Sequence, residues 1–228
     1  MTNLVIFHGI QVFFRTLFGY HAHKVSIDIL NFFLLRCFNL LGTRIQFNNN
    51  FDLPTDRPLI IIANHQNTAD IPPLIWYLRK HHLKFVSKKE LGKGIPSVSY
   101  HLRNGGSALI DRNDPIQAVN EINRHAALLA KNNWSTLIFP EGTRSKNGVP
   151  KKFKTRGIKT IIEKTPNVLI VPITINNSWK FNRWGYFPLP LGIKIFFDVH
   201  EPVEPSDNLS TEFFNAIEKT ITDAVVLD

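Results

Sequence analysis

Residues 59–63 read Leu-Ile-Ile-Ile-Ala, with no polar side chain at any position. A short apolar run this rich in β-branched residues, entered from Pro58 and left through Asn64, reads as a buried strand. A buried strand needs a sheet around it, and the rest of the chain offers one. Strand patterns recur at 44–47, 84–87, 107–110, 136–139, 168–175 and 193–199. Helical patterns fall at 70–80, at 115–131 behind an Asp114 cap, at 155–164 and at 209–226. Strands alternating with helices predict an α/β fold, a mixed and mostly parallel sheet covered by helices on both faces.

The end of the 59–63 strand carries the first candidate chemistry. His65 follows two residues after Ala63, and Asp70 stands five residues past the histidine. A strand end that delivers an imidazole, with a carboxylate just beyond it, can make a general base and its orienting acid. The spacing alone is unspecific, because His23 and Asp28 share it. That second pair lies in a helical pattern, where five residues turn through about 140° and send the side chains to different faces. Only His65 and Asp70 sit where a turn can bring them together. Asp70 is also the expected cap of the following helix.

Other strand ends are basic. The 84–87 strand runs into Lys88, and the 107–110 strand into Asp111 and Arg112. The 136–139 strand runs into Phe139-Pro-Glu-Gly-Thr-Arg-Ser145. A Gly turn there exposes backbone N–H groups toward an anion, and Arg144 adds a planar grip suited to phosphate. Glu141 is expected to position a hydroxyl or to hold the arginine. In α/β sheets, ligands collect at the carboxyl ends of strands. An imidazole, a lysine and two arginines at four such ends predict an anionic substrate beside a base.

Overall charge agrees with an anionic partner. Lys and Arg number 27 against 18 Asp and Glu, a formal charge of +9. The run at 151–159, with Lys151, Lys152, Lys154, Arg156 and Lys159, reads either as a solvated helix start or as a lipid-surface contact. Nucleic acid is not expected, since no basic stretch interleaves stacking aromatics. Walker A and GxGxxG patterns are absent, as is a GxSxG elbow. Cys37 is the sole cysteine, so neither an internal disulfide nor a cysteine zinc cluster is expected, and no metal site is assigned.

Residues 1–43 form a separate pattern, distinct from a 44–228 domain. Two apolar stretches, 4–18 and 25–41, are each broken by polar residues, so neither reads as a spanning helix or a cleaved signal peptide. In the second, Lys24, Asp28, Asn31 and Asn39 cluster on one side of a helical wheel, and Phe32, Phe33, Leu34 and Leu35 help fill the remaining arc. An amphipathic helical hairpin is expected, monotopic at a membrane surface.

Four ordered blocks between residues 59 and 175 resemble the lysophosphatidic acid acyltransferase family (1-acylglycerol-3-phosphate acyltransferases). Asn64-His65 with Asp70 is similar to its NHxxxxD block. Lys88-Lys89-Glu90-Leu91 and Gly106–Arg112 are similar to KxEL and GxxxIDR. Phe139–Arg144 is similar to FPEGTR, and Val171-Pro172-Ile173 to the closing VPI. Asn67 stands where many members carry serine. The resemblance implies acyl transfer from acyl-CoA or acyl carrier protein to the sn-2 hydroxyl of lysophosphatidic acid, giving phosphatidic acid without a metal or cofactor. It implies His65 as base, Asp70 as its orienter, and Arg144 and Arg112, with Lys88, as holders of the acceptor phosphate. Gly142 and Thr143 would shape that pocket. It further implies a seat on the cytoplasmic face of the inner membrane. Other acceptors (a lysophospholipid, a lyso-aminolipid or glycerol 3-phosphate) and a non-catalytic membrane-surface binding protein are the competing readings.

Overall fold

The computed structural model describes residues 2–185, 188–206 and 208–227. Its sheet has seven strands: β1 (Arg44–Asn48), β2 (Leu59–Ala63), β3 (Lys84–Lys88), β4 (Ala108–Ile110), β5 (Thr136–Ile138), β6 (Leu169–Asn176) and β7 (Lys194–Val199). Their order across the sheet is β1-β7-β6-β2-β5-β3-β4. From β6 to β4 all pairings are parallel. β7 runs antiparallel to β6 and carries β1 parallel to itself at the edge. The expected mixed, mostly parallel sheet is therefore what forms.

The apolar run of β2 is explained by its central place. Leu59, Ile61 and Ala63 join one core, and Ile60 and Ile62 join the other. The first core takes Ile27 from α1 (Thr2–Leu40), Leu74 from α2 (Ile71–Tyr77) and Leu102 from α3 (Val98–Asn104). The second takes Leu129 from α4 (Pro115–Asn132), Ile158 and Ile161 from α5 (Arg156–Lys164), and Phe214 and Ile217 from α6 (Thr211–Asp223). Alternate side chains of one strand thus feed two helix layers, and no position on it has room for a polar group.

Two local expectations need correction. The helix expected over 70–80 is three pieces: a 3₁₀ turn (Thr68–Asp70), α2, and a second 3₁₀ turn (Arg79–His81). α3 was not anticipated. It is short, it follows a Gly- and Pro-bearing stretch, and it starts from Ser97 at φ 65°, a conformation no propensity rule favours.

α1 is a hairpin. Helical geometry breaks at Gly19, with φ 76° and ψ −157°, a conformation open to glycine. Asn3 Nδ2 donates to Cys37 Sγ at 3.3 Å, and the Phe7 and Phe33 rings lie 5.9 Å apart. In a straight helix, residues 34 apart would be roughly 50 Å apart. The polar side of the second arm turns toward the α/β unit, where Lys24 bonds Asp28 and the Arg79 carbonyl. Val5, Ile6, Phe13, Leu17, Phe18 and Val25 are each more than half exposed. Among the described residues no helix is long and apolar enough to cross a membrane.

The hairpin docks over buried titratable groups. Lys84, at the head of β3, is 1 % exposed. Its Nζ donates to the Tyr20 hydroxyl at 2.8 Å and lies 4.1 Å from the Trp134 ring centroid. Burial lowers its pKa to about 7, with Lys24 and Arg15 adding to the effect. Desolvation also brings His23 and His82 down to about 4. His23 and Asp28, the spacing set aside above, do point apart: His23 meets His101, and Asp28 meets Lys24.

Candidate active site

β2 ends in a corner built almost wholly from its own side chains. Asn64 does not face a ligand. Its Oδ1 accepts from Ile175 N at 2.7 Å and its Nδ2 donates to Ile175 O at 2.8 Å. The amide thereby imitates one more peptide of the β2–β6 ladder and fixes where the strand stops. Asn67 caps the 3₁₀ turn, accepting from Ala69 N at 3.0 Å, while Asp70 holds the expected cap position of α2 without a side-chain hydrogen bond to that helix. Asparagine supplies this cap at the position where serine is common in the resembled family.

Asp70 instead turns back. Its Oδ2 accepts three hydrogen bonds: from His65 Nδ1 at 2.9 Å, Gln66 N at 2.8 Å and Asn67 N at 2.9 Å. A carboxylate only accepts, so the Nδ1 proton stays on the ring and Nε2 keeps its lone pair. Asp70 is fully buried, whereas the His65 side chain is 15 % exposed. The imidazole lies on the Phe139 ring, centroids 3.9 Å apart and planes 12° from parallel. Its backbone is pinned too, with His65 N donating to Glu141 Oε1 at 2.7 Å and His65 O accepting from Ser145 N at 2.7 Å.

Glu141 departs from expectation. It is 3 % exposed, and its second oxygen accepts from Lys151 N at 2.9 Å. Both oxygens serve backbone N–H groups, so it neither grips Arg144 nor reaches a hydroxyl, and it is a buried brace between the two strand-end turns. Burial raises its carboxyl pKa, against the opposite pull of these two donors.

His65, Lys88, Arg112, Gly142, Thr143 and Arg144 line one cleft of about 300 Å³. Ile71, Phe85 and Leu91 form its apolar side, and among the described residues no carboxylate lines it. Among the described residues Lys88, Arg112 and Arg144 have no acidic partner. Gly142 adopts φ 73°, and a β-carbon there would stand 3.7 Å from both Arg112 Nη2 and Lys154 Nζ. Lys154 is thus a further cation at the site, absent from the sequence-based set. Its backbone N donates to Pro140 O at 3.0 Å, which draws it to this turn. That contact spans two loops, so within the sequence Lys154 is one lysine of a basic run. An imidazole with a free Nε2, beside four cations and an apolar wall, can take a proton from a hydroxyl on an anionic, partly apolar molecule.

Residues 44–176 match the family model described as Acyltransferase. A 1-acyl-sn-glycerol-3-phosphate acyltransferase of Helicobacter pylori is 37 % identical over 149 residues, 62 % of this chain and 59 % of the relative. One of Cocos nucifera is 31 % identical over 149 residues, 65 % of this chain and 46 % of the relative. The chain thus spans about half the length of the curated relatives it matches. The crystal structure of the 1-acyl-sn-glycerophosphate acyltransferase of Thermotoga maritima superposes with a TM-score of 0.79 at 24 % identity, over 97 % of this chain and 88 % of that one, a likeness of fold.

Proposed function

The chain belongs to the acyltransferase family, and from that premise we propose that it transfers a fatty acyl group from acyl-CoA or acyl carrier protein to the sn-2 hydroxyl of lysophosphatidic acid, forming phosphatidic acid. One observation carries the reading: the His65–Asp70 pair opens on the same cleft as Lys88, Arg112 and Arg144. A base without the cations would leave the acceptor unplaced, and the cations without a base would only bind it.

In this mechanism the cations hold the acceptor's phosphate monoester, with Gly142 and Thr143 shaping the floor. Holding the phosphate at a fixed distance from His65 brings the hydroxyl to Nε2, and such positioning is worth several kcal/mol of barrier. As the hydroxyl oxygen attacks the thioester carbonyl, its proton passes to Nε2. Asp70 then faces an imidazolium through Nδ1–H and stabilises it. The tetrahedral adduct collapses by breaking the carbon–sulfur bond, and the proton on Nε2 leaves with the thiolate. No acyl-enzyme is formed and no metal is needed. The exposed apolar side chains of the hairpin seat the protein on a membrane surface, where both acceptor and product reside.

The test is thiol release from acyl-CoA in the presence of lysophosphatidic acid. His65→Ala should lower it by about 10²–10⁴-fold, the contribution of a general base. Equal turnover of a phosphate-free acceptor by the unaltered protein would contradict the roles given to Arg112 and Arg144.

A further inference from the structure

A second cavity, of about 350 Å³, backs onto the first. The two share Thr143 and Arg144, so the Phe139–Ser145 turn is a partition with a compartment on either side. Gln66, Ser145, Lys146, Trp179, Asn182 and Gly185 complete the lining on the far side, and among the described residues no carboxylate lines it. Its volume falls in the ordinary range of small-molecule sites, about 300–1,000 Å³.

The polar groups there are placed but incompletely used. Gln66 is 3 % exposed, yet its amide makes only long contacts: 3.4 Å to Gly148 O, 3.3 Å from Ser178 Oγ and 3.4 Å from Trp179 N. Asn182 Oδ1 accepts from Asn67 Nδ2 at 3.1 Å, which orients the side chain and leaves its NH₂ as a donor. Trp179 is held from behind by Gly148, where φ is 84° and a β-carbon would come within 2.6 Å of the indole nitrogen. The wall so made offers two amides, one aromatic surface and two cations.

We propose that this second cavity binds the 4′-phosphopantetheine arm that acyl-CoA and acyl carrier protein share. The proposal rests on the acyl-transfer reading above, and it assigns the donor a place that reading leaves open. The arm carries two amides to pair with Gln66 and Asn182, a geminal dimethyl group to pack on Trp179, and a phosphate for Lys146. Arg144 stands in the partition, so the thioester end crosses it to reach the hydroxyl beside His65. Acceptor and donor then approach from opposite sides of one turn, and neither has to leave for the other to enter.

The experiment measures binding without turnover. CoA, free 4′-phosphopantetheine and adenosine 3′,5′-bisphosphate are titrated calorimetrically into the unaltered protein and into Lys146→Ala and Trp179→Ala, with Trp179→Phe as the better-folding second variant. CoA and phosphopantetheine should bind and the bisphosphate should not compete. Lys146→Ala should weaken both by about tenfold, the loss of one charge-assisted hydrogen bond. The donor KM should rise by the same factor with the KM for lysophosphatidic acid unchanged. With phosphopantetheine bound, holo carrier protein binding more tightly than its apo form would assign carrier protein as the source, and equal binding of the holo and apo forms would assign CoA. Absence of phosphopantetheine binding, displacement by the bisphosphate, or variants that raise the acceptor KM instead would each overturn the proposal. A protein that binds the arm but releases no thiol would refute the acyl-transfer reading while leaving this site in place.

Discussion

Replacing Asp70 with asparagine separates its charge from its shape. Three donors converge on Oδ2, namely His65 Nδ1 and the backbone N–H groups of Gln66 and Asn67. The new amide must keep its carbonyl oxygen there, since an NH₂ would oppose all three. The His65 tautomer therefore survives, and the negative charge facing the imidazolium is lost. A hydrogen bond to a charged group is worth about 1.5–3 kcal/mol, so kcat should fall by about 10–150-fold with the acceptor KM little changed. The NH₂ is forced into the Oδ1 position, which is buried with no partner among the described residues. An unsatisfied donor there costs about 1–3 kcal/mol, or a fall of about 2–12 °C in melting temperature for a chain of this size. Thiol release against acceptor concentration and a thermal melt read both effects. An Asp70→Asn protein with unchanged kcat, or one whose whole defect lies in acceptor KM, would refute the assignment of Asp70 to the imidazole.

Two further outcomes follow from the hairpin. Lys84, His23 and His82 all have folded-state pKa values below their ordinary ones, so each contributes stability above its unfolded pKa and loses it as pH falls. For Lys84 the window runs from about 10.5 down to about 7, and for the histidines from about 6.5 down to about 4. Urea resistance should therefore rise from pH 7 to pH 9, with a slope of at most about 1.4 kcal/mol per pH unit from one group. Lys84→Met should flatten that rise and keep the acid-side loss; an unchanged slope would show that Lys84 is not the group responsible. The double substitution Phe13→Ser and Phe18→Ser removes two exposed rings from the hairpin's outer surface. It should weaken binding to phosphatidylglycerol vesicles by at least about 100-fold, since burying one such ring is worth about 1.5–3 kcal/mol. Undiminished binding would place the membrane contact elsewhere.

The sheet was legible because its strands are short apolar runs set apart by turn residues, as β2 and β6 illustrate, and both feed cores on two faces. The His65–Asp70 meeting was legible because a strand end fixes one partner and a turn returns the other. Glu141, expected to position a hydroxyl or hold Arg144, was not legible as a brace because its partners, the N–H groups of His65 and Lys151, are backbone groups of distant loops that carry no side-chain signature. Lys154 was missed for the same reason: one backbone bond to Pro140 selects it from five basic residues in its run. Asn64 is the converse case, a residue of the resembled motif whose work is to extend a ladder.

Only Leu41, Gly42 and Thr43 separate the hairpin from β1, and these three residues have little freedom. Gly42 N bonds Asn39 O at 2.9 Å, Thr43 N bonds Phe38 O at 3.1 Å, and Leu41 O accepts from Gly192 N at 3.0 Å next to β7. The joint behaves as a weld and not as a tether. On the proposed membrane seat, the tilt of the hairpin sets the tilt of the whole sheet, and so the height of His65 above the lipid headgroups. Reach along the bilayer normal would then be a built-in dimension of the protein, and a flexible insertion at 41–43 would loosen it without touching a single residue of the cleft.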